Sequence, residues 1–374
     1  MSERASLRAR RKTGAVFMNL EQKAEKLIDK YKMISAGDKI VAAFSGGSDS
    51  SALLHFLITR YGRENIYAAH LNHLIRGSDA YADENFAVMI CGGYNIKIFT
   101  ERRDIPGIAK KLKKSAEEAG RDERYDFFRR VCAEIGGTEI GGSEENAGNN
   151  IKVATAHTAP DNTESVIMNL ARGTGVDGLC GIAPVAAGNI IRPLLSCEKR
   201  DILEYCRENN IKFTEDRTNT DEKYIRNFIR HGIASKIKER YAGLDANILN
   251  MSDIMRDTAD FIDLQAGDIL KDGDNNENGL PVGVYTALHK TLRRAVIIKM
   301  CKTAGGRLDF RLVEEIDKAL LEGKLVRKDL PGNTAAEVSG GRLRIYREEK
   351  NYRIYRKEIK EINKNRGKSG NNLQ

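Results

Sequence analysis

Short apolar runs alternate with longer segments of helical periodicity over the first two thirds of the chain. The short runs predict strands, and the periodic segments predict amphipathic helices. Strands are predicted at residues 40–44, 66–70, 96–100 and 151–156, and helices at 21–33, 80–91, 106–135 and 161–172, with one more between the first strand and residue 60. The helix over 80–91 is expected to turn Phe86, Met89 and Ile90 inward. This alternation predicts an α/β fold with a parallel, Rossmann-like sheet and right-handed crossovers.

The pattern changes after about residue 245. Helical segments follow at 246–271, 286–304 and 309–322, and short strands are expected within 325–356. A glycine- and asparagine-rich stretch at 136–150 predicts a surface insertion. We therefore predict four parts: a basic N-terminal extension with the first helix (1–35), an α/β catalytic domain (36–245), a helical and strand-containing region (246–356), and a basic disordered tail (357–374).

A glycine turn joins the first predicted strand to its helix. It contains Ser45, Gly46, Gly47, Ser48, Asp49 and Ser50. A strand, a glycine turn and a helix start together present free backbone N–H groups to a phosphate. The hydroxyls and the Asp49 carboxylate are suited to cap the helix or to contact the anion and its Mg²⁺. The loop lacks the lysine of a Walker A sequence.

Three other patterns resemble ligand loops but fail on their context. The glycine run at 173–178 follows a predicted helix rather than a strand, which argues against a dinucleotide site. The Gly367-Lys368-Ser369 sequence has Ile362 where a Walker loop needs glycine. The stretch that begins at Asp272 has Gly283 where a calcium loop needs glutamate.

The net charge of +9 is concentrated at the two ends of the chain. Residues 1–12 carry +4 and residues 342–374 carry +7, so the body is close to neutral. Basic ends of this kind suit a polyanion such as nucleic acid, although two solvated tails would give the same pattern. No apolar run reaches the length of a membrane span, and no secretory signal is recognisable. Six cysteines without a Cys-x-x-Cys pair suit free thiols, so we expect a cytoplasmic protein without a membrane partner.

Polar side chains follow the predicted strands at the edge where ligands of parallel sheets bind. They are His70, His73 and Arg76 after the second strand, Arg121 and Arg124 on the following long helix, and His157, Asp161 and Glu164 after the fourth strand. Such groups can clamp phosphate, bind metal or move a proton. Taken alone, the first cluster is more typical of a polar loop and the second of a solvated helix face, and the third is also typical of a helix cap.

The motifs taken in order resemble one family, tRNA(Ile)-lysidine synthetase of the PP-loop ATP pyrophosphatase superfamily. The resemblance covers about residues 36–245 and is weaker beyond. It rests on the segments 45–50, 70–77, 121–125, 154–164, 170–179 (which includes Arg172), 191–195, 215–219 and 226–230. The loop alone is typical of the superfamily, and the ordered series is typical of the family.

The resemblance implies a two-step ligation with ATP as substrate and Mg²⁺ as cofactor. ATP adenylates the C2 oxygen of the wobble cytidine in a minor isoleucine tRNA and releases pyrophosphate. Free L-lysine then attacks C2 through its ε-amine, expels AMP and forms lysidine. A lysine ammonium is not a nucleophile, so a proton acceptor is needed, and Asp161 and His157 are the candidates. Region 246–356 is expected to bind the tRNA, and a homodimer is left open.

Two departures from the family pattern concern residues near the site. Pro160 stands where relatives usually carry the first of two adjacent acids, and Gly120 stands where alanine is usual. Two alternatives remain at this point. One is another PP-loop enzyme that modifies tRNA or forms an amide, and the other is an RNA-binding protein with a degenerate nucleotide site. The intact 45–50 loop argues against the second alternative.

Overall fold

The computed structural model describes residues 18–74, 78–136, 151–187, 189–214, 225–273 and 279–348. Within these ranges, the chain divides into two compact units with a boundary between Met255 and Arg256. The predictions for Arg76, for residues 137–150 and 215–219, and for the basic ends lie outside the described residues.

The first unit is built from strands that alternate with helices. Its strands are β1 (Lys39–Ala43), β2 (Ile66–Asn72), β3 (Lys97–Arg102), β4 (Ile151–Ala154), β5 (Val185–Ala186) and β6 (Ile190–Ile191). Its helices are α1 (Leu20–Tyr31), α2 (Ser48–Tyr61), α3 (Ser78–Tyr94), α4 (Ile105–Leu112), α5 (Ala116–Glu134), α6 (Ala159–Arg172), α7 (Val176–Leu179), α8 (Lys199–Glu208), α9 (Ile225–Asn227) and α10 (Ser235–Arg240). A π-helical turn, Phe228–Ala234, joins α9 to α10.

The strands of this unit form one mostly parallel sheet in the order β3-β2-β1-β4-β6-β5. Strand β1 lies in the middle and pairs in parallel with β2, for example Ile40 with Ile66, and with β4, for example Val41 with Val153. The edge strand β5 is antiparallel to β6. Strand β1 is an apolar run because helices cover both faces of a parallel sheet, and Ile40, Val41 and Ala42 are fully buried. The predicted α/β class is confirmed.

Two local predictions about the helices were wrong. Met89 is 58% exposed, whereas Phe86 and Ile90 pack against the core as expected. The helix expected over 106–135 is two helices, α4 and α5. Lys113 ends α4 with a φ of 54°, in the left-handed region. Ser115 then begins α5 and forms a capping box with Glu118. The break therefore follows from a helix start encoded in the sequence.

The second unit combines helices with a small antiparallel sheet. Helix α11 (Leu244–Gly273) runs into it from the first unit and is followed by α12 (Val282–Ala287), α13 (Lys290–Thr303) and α14 (Phe310–Leu321). Strands β7 (Leu280–Pro281), β8 (Arg327–Leu330), β9 (Thr334–Ser339) and β10 (Arg342–Arg347) form a sheet in the order β7-β10-β9-β8. Tyr285, Val296 and Ile316 lie in its core, where the Tyr285 hydroxyl donates to Asp317 over 2.6 Å.

Among the described residues, no helix combines the length and the apolarity that a membrane crossing needs.

Candidate active site

The loop between β1 and α2 has the geometry of an anion cradle. Gly46 adopts φ +88°, and a Cβ there would lie 3.2 Å from both the Phe86 ring and the Thr214 hydroxyl. Gly47 caps α2 in an extended conformation without a side-chain hydrogen bond. The Ser50 hydroxyl closes the loop by donating to the Gly47 carbonyl over 3.0 Å. Gly47 offers the first N–H groups of α2 no side-chain acceptor, and this arrangement suits a bound anion.

The far side of this loop is built by residues from much later in the chain. The Thr214 N–H donates to the Gly46 carbonyl over 2.8 Å. Lys199, the first residue of α8, places its Nζ 2.8 Å from the Ser48 hydroxyl and 2.6 Å from Asp49 Oδ1. Helix α8 packs against α2, and the Cys206 thiol lies 3.7 Å from the Ser48 carbonyl. The loop is therefore enclosed by the segment from Lys199 to Thr214.

A cavity of about 470 Å³ opens at the carboxyl ends of β1, β2 and β4. This volume lies in the range of small-molecule sites. Of the predicted site residues, its walls include Ser45, Gly47, Asp49, Ser50, His70, His73, Arg124, His157 and Asp161. Segments separated by more than a hundred residues meet here because the carboxyl ends of parallel strands share one edge of the sheet.

His70 and His73 lie on the β2 side of the cavity. His70 is buried, and its Nδ1 lies 2.9 Å from the Phe44 carbonyl oxygen. A carbonyl can only accept, so His70 carries its proton on Nδ1. Its Nε2 has no hydrogen-bond partner among the described residues. The His73 Nε2 lies 3.4 Å from Arg124 Nη2, which links this wall to α5.

His157 and Asp161 lie on the β4 side. Burial, together with the arginines around the site, lowers the pKa of His157 to about 4, and Asp161 opposes this shift. The imidazole is therefore neutral at physiological pH, with Nδ1 3.0 Å from the Thr155 hydroxyl. Asp161 Oδ2 accepts from the Thr158 backbone N–H over 2.8 Å and from its hydroxyl over 2.9 Å. Asp161 therefore caps α6 while also facing the cavity.

Glu164 does not line the cavity, and it is almost completely buried. Its carboxylate accepts from Arg226 Nε over 3.1 Å and from Arg230 Nε over 2.5 Å. Arg230 also approaches Asp161 Oδ1 at 3.5 Å. Glu164 thus fixes the 225–240 helical segment against α6, and this contact brings the two arginines to the edge of the site.

The remaining predicted residues lie around the rim or farther away. The Arg121 guanidinium is exposed and lies 5.6 Å from the ring centre of Tyr125, which lines the cavity. Arg172 is exposed at the end of α6, where Gly173 terminates the helix with φ +78°. Gly173 is therefore a helix end, as expected from its position, and the rest of the 173–178 run leads into the short helix α7.

Pro160 occupies the first turn of α6, between the Thr158 cap and Asp161. A proline is tolerated there because the N–H groups of the first turn have no partner within the helix. The substitution therefore preserves the helix start and removes one carboxylate from the position beside Asp161.

Sequence reasoning missed Lys199, Asp83 and Thr155 as residues at the site. Thr155 had a signal in its position at a predicted strand end, whereas Asp83, inside a predicted helix, and Lys199 had none. Across the part of the chain that the structure describes, no group of three or more His, Cys, Asp or Glu side chains could hold a metal ion. Among the described residues, Asp49, Asp83 and Asp161 bring carboxylates to the cavity, and Asp49 is the one that belongs to the glycine loop.

Comparison with known proteins agrees with this geometry. Residues 17–237 match the family model of the PP-loop domain. The first unit is thus a PP-loop domain, which defines the protein as a PP-loop ATP-utilising enzyme. A solved structure, the U34-tRNA thiolase NcsA from Methanococcus maripaludis, has the same fold with a TM-score of 0.50 and 16% identity over 63% of this chain and 78% of that one.

Two curated relatives narrow the class. The tRNA(Ile)-lysidine synthase of Caldanaerobacter subterraneus subsp. tengcongensis is 32% identical over 91% of this chain and 72% of its own. That of Chlorobaculum tepidum is 33% identical over 85% of this chain and 93% of its own. Other relatives of that name match over less than half of their own length. The chain belongs to the tRNA(Ile)-lysidine synthase family, and the predicted family and ligase class are confirmed.

Proposed function

We propose that this chain ligates lysine to C2 of the wobble cytidine in a minor isoleucine tRNA, with ATP cleaved to AMP and pyrophosphate. The proposal rests on one observation: the glycine loop before α2 lines the same cavity as His157, Asp161 and Arg124. An ATP site and a site for proton transfer therefore share one volume. Membership of the tRNA(Ile)-lysidine synthase family supports a tRNA as the acceptor, and the motif resemblance implies the wobble cytidine and lysine as the reacting pair.

In this proposal the β- and γ-phosphates of ATP bind at the start of α2. The backbone N–H groups and the helix dipole stabilise the negative charge there. Asp49 would hold Mg²⁺ beside the start of α2, since the described part of the chain offers no larger set of metal ligands. Bound Mg²⁺ would offset the charge that develops on the leaving pyrophosphate.

The first step joins the cytidine to the nucleotide. The C2 oxygen attacks the α-phosphorus, a P–O bond forms, and the bond to the bridging oxygen breaks as pyrophosphate leaves. Arg124 lines the cavity and Arg121 stacks near Tyr125 at its rim. Fixed guanidinium groups at these positions would stabilise negative charge on the phosphates or hold the tRNA backbone.

The second step replaces AMP by lysine. The ε-amine attacks C2, the C2–O bond breaks, AMP leaves with the former C2 oxygen, and the amine loses its proton. His157 is neutral, so its unprotonated nitrogen is able to accept a hydrogen bond at physiological pH. Asp161 keeps Oδ1 toward Arg230 while Oδ2 caps the helix. We propose that His157 and Asp161 together accept the proton that the lysine ε-amine loses.

The product of ATP cleavage and its dependence on both co-substrates test the proposal. Purified protein incubated with ATP, unmodified tRNA and lysine is expected to give AMP and pyrophosphate, measured by chromatography, together with lysidine in digested tRNA. Omission of lysine should leave an adenylated tRNA, and omission of tRNA should abolish turnover. ADP as the main product, or AMP formation that ignores tRNA, would exclude this function in favour of another PP-loop reaction.

The second unit is proposed to bind tRNA. The cytoplasmic location, free lysine as the amine donor, and a homodimer remain predictions of the same proposal. Sedimentation of the full chain with and without tRNA would decide the oligomeric state.

A further inference from the structure

Lys199, which the sequence analysis did not single out, contacts the glycine loop of residues 45–50 through its amine. Its Nζ lies within hydrogen-bond distance of the Ser48 hydroxyl and of Asp49, although 150 positions separate it from the acid. Both contacts fall on the first two residues of α2, where the free N–H groups of the helix begin. The amine therefore lies at the edge of the anion cradle.

The loop itself contains no cation. A Walker A loop supplies a lysine that reaches the terminal phosphates of the nucleotide, and residues 45–50 contain none. We propose that Lys199 supplies this missing charge and binds the β- and γ-phosphates of ATP, which become the leaving pyrophosphate. The inference rests on the proposed function, because it assumes that the cradle holds ATP.

The surroundings of Lys199 fix its direction and leave its amine free to change partner. Helix α8 packs on α2 through its buried face, so the backbone of Lys199 is held against the loop. The Lys199 side chain is 51% exposed and that of Asp49 is 35% exposed. An ion pair this open to water contributes little to stability, so exchanging the carboxylate for a phosphate oxygen costs little.

The exchange also explains why an acid and a base share this corner of the loop. Without nucleotide, Asp49 neutralises Lys199 beside the cradle. With ATP bound, the ammonium would turn to the phosphates, and the Asp49 carboxylate would be released to hold Mg²⁺. Each charge then gains a partner of opposite sign, and the contacts that Lys199 gives up are those with Asp49 and the Ser48 hydroxyl.

Direct binding measurements separate this role from a structural one. The affinities of Mg²⁺-ATP, pyrophosphate and AMP for the full chain are measured by calorimetry for the wild type, Lys199→Ala and Lys199→Arg. Lys199→Ala should weaken ATP and pyrophosphate roughly ten- to a hundredfold, the loss expected for one charge-assisted hydrogen bond, and should leave AMP unchanged. Lys199→Arg should recover most of the ATP affinity.

Two control variants test whether a general disturbance of helix α8, rather than loss of the Lys199 amine, weakens ATP binding. Arg200→Ala removes the neighbouring exposed cation, and Lys23→Ala removes the ion pair that Asp201 of α8 makes with α1. Neither should change ATP affinity more than twofold. Unchanged or tighter ATP binding by Lys199→Ala, or equal weakening of ATP and AMP, would overturn the inference. Failure of the wild type to bind ATP would instead overturn the proposed function.

Discussion

The negative charge of Glu164 should stabilise the first unit, and the burial of its ion pairs sets limits on its contribution to the free energy of unfolding. The Glu164→Gln substitution keeps the shape of the side chain and removes its charge. The carboxylate is 2% exposed, and its partners Arg226 and Arg230 are 31% and 36% exposed. The substitution would leave two guanidinium groups facing each other across a neutral amide.

The size of the loss follows from this mixed burial. Removing one partner of a buried pair costs about 3–5 kcal/mol, and an exposed pair contributes about 0–1 kcal/mol. Because water reaches both arginines but not the carboxylate, we expect a loss of about 2 kcal/mol in the free energy of unfolding. A loss of this size lowers the unfolding temperature of a unit of roughly 250 residues by about 4–8 °C.

Scanning calorimetry at pH 7 provides the measurement, and Glu117→Gln provides a matched control. Glu117 also pairs with Arg226, at 3.6 Å, but its side chain is 59% exposed. Its substitution should change the free energy of unfolding by less than about 0.5 kcal/mol. If Glu164→Gln unfolds within 1–2 °C of the wild type, on the scale of about 2–4 °C per kcal/mol, the pair does not hold α6 to the 225–240 segment.

Three further predictions concern the site. The pKa of His157 is about 4 in the folded protein and ordinarily about 6.5, so the unfolded chain binds more protons between these values and stability should fall by about 1–3 kcal/mol as pH drops through that window. Urea unfolding at pH 7 and pH 5 should show a smaller fall for His157→Gln, and an equal fall would contradict this origin. Gly46→Ala should cost about 1–2 kcal/mol for its φ of +88° and should also weaken ATP binding, whereas Gly37→Ala, with φ +86° and open space around it, should cost only stability. Asp161→Ala, tested by trapping adenylated tRNA and then adding lysine, should lose the intermediate or its conversion to lysidine, and a wild-type rate of lysidine formation would remove Asp161 from the mechanism.

The parts of the fold that the sequence predicted are those with local signals. Strands β1 to β4 are short apolar runs because both faces of the sheet are covered, and the glycine turn after β1 is unmistakable where a strand precedes it and a helix follows. The meeting of Ser45, His70 and His157 at one cavity also followed from topology alone, since all three come at or near carboxyl ends of parallel strands.

Other elements had signals that were present but weak. Helix α8 was not predicted, although Ile202, Tyr205 and Cys206 are spaced for one buried face and Glu198 forms a capping box with Asp201. Met89 was placed inward because α3 is apolar around much of its circumference, so the periodicity did not distinguish its faces. The family was predicted from motif order rather than from any of these patterns, and the curated relatives confirm it.

Side-chain pairing across the unit had no local signal at all. Asp49, Asp161 and Glu164 belong to the loop and helix that follow β1 and β4, and each meets a cation from a later segment: Lys199 for the first, and Arg230 for the other two. A hydrophobic pattern reports burial and direction, but it does not report which charged residue will face which.

This division of charge has a consequence for how the site is assembled. The segments up to residue 172 supply the cradle, the histidines and the carboxylates, and the segments from Lys199 to Arg230 supply the cations that meet those carboxylates. The sheet can position the first set without the second, because β1, β2 and β4 pair directly with one another. Asp49 and Asp161 would then face the cavity without the cations that meet them, which disfavours a polyanionic nucleotide. Affinity for ATP is therefore tied to the docking of α8 and of the 225–240 segment, and the motif that identifies the superfamily is necessary for the site without being sufficient for it.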